Sequence, residues 1–190
     1  MQIWVGLGNP GAQYAFHRHN VGFMVLDALE EVHKFPEPKK KFQGWAVEGR
    51  LGPEKILMLK PATFMNESGR SVHAALDFYK LEAEDVTIFH DELDLEPFKI
   101  KVKRGGGHAG HNGLRSIDAH IGPNFRRVRI GIGHPGHKAR VHGYVLGNYT
   151  KAEIDPLAAM LGAISAEADW LAKNDDARFM NDVAMRLNEE

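Results

Sequence analysis

The residues best suited to hydrolytic chemistry are His19 and Asp91. Imidazole is the side chain whose unperturbed pKa, about 6.5, suits general-base work near neutrality. Asp91 follows an apolar run, Val86 to Phe89, and a carboxylate there can orient His19 and stabilise its imidazolium form. Ser68, Ser71 and Ser116 carry no nucleophile motif, and no G-x-S-x-G occurs. The pair therefore points to direct attack by a water. Asn9, Asn66 and Asn112 each lie in a Gly- or Pro-bounded loop just past a predicted strand. Asparagine there commonly just closes a turn through its own backbone bonds. Three of them around one histidine would instead offer neutral donors and acceptors for an amide or ester, including a donor for a developing oxyanion.

Two other chemistries compete for the same segments. His90, Asp91, Asp94, His108 and His111 could collect a metal, but their spacing matches no H-E-x-x-H or related pattern. Gly6, Gly8 and Gly11 give the first half of a dinucleotide-binding fingerprint. Pro10 removes a backbone N–H inside it, and the next predicted helix starts near Val21, too late for its N-terminus to hold a phosphate. Asp27 and Glu30, near the distance of a ribose-binding acid, fall inside that helix. The expectation is no cofactor and no metal.

The elements that must position these groups follow from periodicity. Ile3-Trp4-Val5 reads as a strand emptying into Gly6–Gly22, which carries Asn9, Tyr14, His17, Arg18, His19 and Asn20. Ligands of α/β folds bind at the carboxyl ends of strands, so this loop is the expected floor of the site. Asn20 is a predicted N-cap for a helix ending near His33. PEPKKK, from Pro36 to Lys41, reads as a charged loop. Gly44–Leu51 and Lys55–Lys60 form a predicted hairpin across Gly52-Pro53. Ser68 or Asn66 is expected to cap a helix through Tyr79. Val86–Phe89, Phe98–Val102 and Arg127–Gly133 read as strands, and Leu114–Ile121 as a short helix. Helical spacing then runs from Ile154 to Leu171, and again over Arg178–Leu187. The fold class is α/β: one domain over residues 1–190, with a mixed central sheet flanked by helices.

Composition narrows the class. With 190 residues, 43% hydrophobic and 26% charged, the chain suits one well-cored domain. It lacks cysteine, which excludes disulfides and thiolate chemistry. No apolar run approaches the length of a membrane span, and no secretory signal pattern opens the chain, so a cytoplasmic protein is expected. The net charge is −1, yet Lys99 to His142 holds ten Lys or Arg against a single acid, Asp118, and six of the eleven histidines. A one-signed block within a neutral protein suggests a polyanionic partner, phosphate or nucleic acid.

Six motifs together carry a resemblance. NPG at Asn9, RHNVG at Arg18, TFMN at Thr63, HDELDL at His90, GGGHAGHNGL at Gly105 and RIGIGHPG at Arg129 occur in the order found in bacterial peptidyl-tRNA hydrolases, which the chain resembles from its first strand to about Asn148. The resemblance implies a monomeric α/β enzyme that cleaves the ester joining a peptide to the terminal ribose of tRNA, recycling tRNA from aborted translation. It implies His19 as the base that activates water and Asp91 as the carboxylate that keeps it competent. Asn9 would monitor the peptide end and help reject free aminoacyl-tRNA, while Tyr14, Phe64, Asn66 and Asn112 line the substrate site. Lys103 and Arg129 fall where the family meets tRNA phosphate. His17 stands where the family commonly has threonine, and Glu67 and Ala109 also differ from frequent choices. The alternatives are a non-catalytic RNA-binding relative and a metal-dependent hydrolase, which turnover and chelation would separate.

Overall fold

Strict alternation of buried residues sends neighbouring side chains of each inner strand to opposite faces, and the fold grows from that. In the computed structural model, which describes residues 1–188, the order is β1 (Gln2–Gly6), α1 (Val21–Val32), β2 (Lys39–Lys41), β3 (Gly44–Leu51), β4 (Glu54–Pro61), α2 (Ser68–Tyr79) and β5 (Val86–Glu92). There follow β6 (Ile100–Arg104), α3 (Asn112–Ile121), β7 (Arg126–Gly131), α4 (Val141–Val145), α5 (Ile154–Ala172) and α6 (Asp176–Asn188). Trp4, Met58, Phe89, Val128 and Ile130 pack with α1, α5 and α6 on one face; Ile3, Val5, Leu57, Leu59 and Ile88 pack with α2 and α3 on the other. Each such buried aliphatic or aromatic side chain contributes about 1.5–3 kcal/mol.

The seven strands are ordered β2-β3-β4-β1-β5-β7-β6. β1 lies parallel to both β4 and β5, and β5 parallel to β7, while β2, β3 and β6 pair antiparallel. This is the mixed, helix-flanked sheet the sequence predicts. Its connections fix the site: the chain returns from β1 to β4 on one side, then crosses to β5 on the other. That reversal makes the carboxyl end of β1 a topological switch point, where a crevice opens.

Gly6 and Gly22 seat α1 against that end. A Cβ on Gly6 would lie 2.2 Å from the Gly22 carbonyl oxygen, and one on Gly22 would lie 2.3 Å from the Phe89 oxygen. Gly6 thus permits close packing of helix on strand, and the helix does begin at Val21.

Several local expectations are corrected. Asn20 holds the N-cap position of α1, but its side chain turns back to the Asn9 backbone, accepting from its N–H at 2.9 Å and donating to its carbonyl at 3.0 Å. Neither Asn66 nor Ser68 caps α2: a 3-10 turn over Met65–Glu67 leads into the helix, and the Ser68 hydroxyl donates to the Met65 carbonyl at 2.7 Å. Lys39–Lys41 is no loop, since its backbone pairs with Gly44–Ala46 as a short edge strand. Main-chain pairing needs no apolar alternation, so the lysines gave no sign of it.

Candidate active site

Asp91 sits near the carboxyl end of β5, 4% exposed, and accepts from two imidazoles. His19 Nδ1 lies 2.8 Å from Oδ2 and His111 Nε2 lies 2.8 Å from Oδ1. The tautomers follow from the backbone. His111 is the N-cap of α3, and its Nδ1 accepts from the N–H groups of Gly113 and Leu114 at 3.1 and 3.3 Å. That nitrogen is therefore unprotonated, and Nε2 carries the proton given to Asp91. With the carboxylate held from both sides, His19 donates through Nδ1 and keeps its lone pair on Nε2.

Electrostatics agree with that reading. Burial works against a carboxylate at Asp91, but the His19 and His111 rings outweigh it and hold its pKa well below the ordinary range. Burial also disfavours a charged His19, yet the Asp91 carboxylate wins and raises the ring above its ordinary 6.5. His17 moves the other way, lowered by burial and then by the neighbouring His19. His90 is pushed down to about 3 by burial and by His111, and its Nδ1 bonds the Asp91 carbonyl at 2.8 Å. His90 is thus a neutral packing residue.

Asn9, at the switch point, uses its side-chain oxygen to accept from the Met65 N–H at 2.8 Å. Met65 lies between Phe64 and Asn66, both exposed, so one bond brings the loops after β1 and β4 together. Asn112 follows His111 and begins α3, also exposed. Asn112 is thus one residue from a partner of Asp91, and Asn66 one residue from the Asn9–Met65 bond. Tyr14 stands edge-on to His17, ring centroids 5.4 Å apart. The loop is closed from far away in sequence: Arg18 N–H donates to the Gly147 carbonyl at 3.0 Å, and the Arg18 guanidinium pairs with Glu153 at 2.8 Å while covering the Tyr144 ring at 4.3 Å.

The metal reading meets a chemical obstacle. Among the described residues, His19, Asp91 and His111 are the group whose ligand atoms converge, all within 4.8 Å. A metal would need the Nε2 lone pair of His111, while the backbone donors need that of Nδ1, and one ring has a single lone pair to give. This donor set does not fit a metal, and His90, Asp94 and His108 stand outside it.

The basic block divides on inspection. Arg126 is buried against Asp176 at 2.9 Å and the Leu171 carbonyl, Arg104 pairs with Asp176 at 3.1 Å, and Lys99 with Glu96 at 3.0 Å. Arg127 is buried and donates to the carbonyls of Gly107 and Gly106 at 2.6 and 2.7 Å, anchoring the glycine loop. Lys101, Lys103 and Arg129 share the sheet face away from α5 and α6, where alternation turns Val102, Val128 and Ile130 inward. These, with Arg115, Lys138 and Arg140, are what the sequence count leaves for an outside anion.

Against this geometry, the comparisons are decisive. The family model described as peptidyl-tRNA hydrolase matches residues 3–190. The chain belongs to the peptidyl-tRNA hydrolase family. Within that family it is 74% identical over 187 residues to the peptidyl-tRNA hydrolase of Rhizorhabdus wittichii, covering 98% of this chain and 99% of the relative. It is 62% identical over 186 residues to that of Zymomonas mobilis, covering 98% of each. The crystal structure of peptidyl-tRNA hydrolase from Acinetobacter baumannii superposes with a TM-score of 0.90 at 42% identity, over 96% of this chain and 94% of that one. The resemblance carried by six motifs thus extends through the C-terminal helices.

His111 is the residue sequence reasoning misplaced. It stood among candidate metal ligands, whereas it caps α3 and braces Asp91. Its position one residue before the helix was the signal available.

Proposed function

We propose that His19 is the general base with which this chain hydrolyses peptidyl-tRNA. Its Nε2 takes a proton from a water, whose oxygen attacks the ester carbonyl carbon. The tetrahedral intermediate collapses by breaking the bond to the ribose oxygen, and His19 returns the proton to that oxygen. The products are free tRNA and a peptide carboxylic acid. Asp91 keeps Nδ1–H in place and stabilises the imidazolium between the two transfers. His111 acts through Asp91 as a positioning residue. The observation that carries this reading is the double hold on Asp91, which leaves the Nε2 lone pair for water.

Asn66 and Asn112 supply neutral donors for the oxyanion, and Asn9, Tyr14 and Phe64 receive the acyl end, with Asn9 discriminating N-blocked from free aminoacyl groups. A ribose ester is already activated, so a held water, a base and an oxyanion donor suffice without a cofactor or covalent intermediate. Lys103 and Arg129 take tRNA phosphates. No helix is long and apolar enough to cross a membrane among the described residues, and a cytoplasmic monomer is the form we infer.

Purified His19→Ala should lose about 10²–10⁴-fold in kcat on N-blocked aminoacyl-tRNA, the usual range for a lost general base. Hydrolysis at the wild-type rate would overturn the assignment. Absence of turnover by the wild-type chain would favour a non-catalytic RNA binder, and activity lost to exhaustive EDTA treatment would restore the metal reading.

A further inference from the structure

The scissile ester of peptidyl-tRNA joins RNA on one side to an acyl chain on the other. The free cations Lys101, Lys103 and Arg129 lie on β6 and β7. At the opposite edge, β2 presents Lys39, Lys40 and Lys41, all exposed. Lys41 pairs with Gly44, and Gly44 with Pro61 at the end of β4, so this edge reaches the same end of the sheet as His19.

A cavity of about 510 Å³ opens there, lined by Lys40, Lys41, Gln43, Trp45 and Thr63 among others. Trp45 is 42% exposed, with the Lys40 ammonium 5.5 Å from its ring centroid, and the Lys41 ammonium lies 4.0 Å from the centroid of Phe78. Of the nearby carboxylates, Asp27 pairs with Lys60, while Glu48, bonded to Lys55 and Tyr79, also feels the Lys41 charge. Thr63 stands two residues before Met65, whose N–H Asn9 holds. The cavity is therefore within about 7 Å of chain from that frame, the reach of two residues of extended peptide.

We infer that the cavity between β2 and the Ala62-Thr63 segment receives the peptide of peptidyl-tRNA a few residues beyond the ester, and that Lys40 and Lys41 make it favour acidic peptides. The inference rests on the proposed reading of the His19 site. RNA entering over β6 and β7 leaves the peptide to cross toward β2. Lys40 beside the Trp45 ring, with Lys41 on the other side of the strand toward Phe78, then offers charge for carboxylates and an aromatic face for extended backbone. Lysines also guard exposed sheet edges against pairing. That role alone would make no distinction among substrates.

The test compares tRNAs carrying N-acetylated peptides with Asp, Gly or Lys at the second to fourth residues from the ester. N-acetyl-aminoacyl-tRNA, too short to reach the cavity, is the reference within each variant. We expect the wild type to show KM lower by about threefold to tenfold for the Asp peptides than for the Gly peptides, the effect of two part-exposed ion pairs. Lys40→Ala with Lys41→Ala should level that ratio, and Lys40→Glu with Lys41→Glu should invert it toward the Lys peptides. Unchanged ratios in all variants would overturn the proposal and leave the lysines as edge guards. An equal rise in KM for every substrate, reference included, would overturn it in favour of an RNA contact. A wild type inert toward the reference substrate would instead remove the underlying reading of His19.

Discussion

At the residue scale, the opposite displacements of two neighbouring histidines decide what a pH profile reports. His19 titrates above 6.5 because Asp91 outweighs its burial, whereas His17 is lowered by burial and by His19. In the proposed role of general base, His19 works only when neutral. Activity should therefore fall as pH drops through a pKa above 6.5, and that limb belongs to His19. In Asp91→Asn the attraction is gone while the burial stays, so the limb should move to lower pH. Its plateau should drop by about 10²–10⁴-fold through loss of orientation. A kcat/KM profile of both proteins checks this, and a limb that stays in place would detach Asp91 from His19. The linkage to stability runs the same way for His19: the raised folded pKa contributes stability present below the unfolded pKa, lost as pH rises through the folded one. His19 and Asp91 were legible in the sequence because a polar loop after a strand is conspicuous. The part played by His111 was not, since which ring nitrogen caps a helix depends on the path of the loop before it.

At the element scale, Arg127 does for the glycine loop what a side chain from outside rarely does, holding three main-chain carbonyls, of Gly106, Gly107 and Pro123. Counted as surface charge in the sequence, it is buried and spent. Arg127→Ala should cost about 3–6 kcal/mol, at about 1.5–3 kcal/mol for each of the two short charge-assisted bonds, and should free the segment leading to His111. Urea unfolding gives the first number, and faster tryptic cleavage after Arg104 reports the second. Unaltered stability and cleavage would deny the anchor. The inner strands and the long helices were readable from alternation and helical spacing, and the Gly52-Pro53 hairpin from its turn residues. β2 was hidden, because its pairing is made by backbone and its lysines follow no pattern.

At the scale of the whole molecule, the cations of one sheet face should govern tRNA affinity through counterion release. Each phosphate contact contributes roughly 0.7–0.9 to the slope of log K against log salt. Lys103→Ala and Arg129→Ala should each weaken tRNA binding and flatten that slope by about one contact. Arg126, committed to Asp176 and to carbonyls, offers no such contact. Filter-binding titrations across salt concentrations measure it, and an unchanged slope would exclude the residue concerned. The sequence count overstated the free positive charge, because it does not reveal which guanidinium groups turn inward.

The closure of the His19 loop by Gly147, Tyr144 and Glu153 has a consequence for the order in which the enzyme comes into being. His19 is among the first residues made, yet its loop is fastened by residues some 126 to 135 positions later, and Gln2 itself bonds the Ala172 carbonyl across 170 positions. Such distant contacts defer completion until nearly the whole chain is available. While it grows, the enzyme is itself a peptidyl-tRNA, and its own site is assembled only as that state comes to an end.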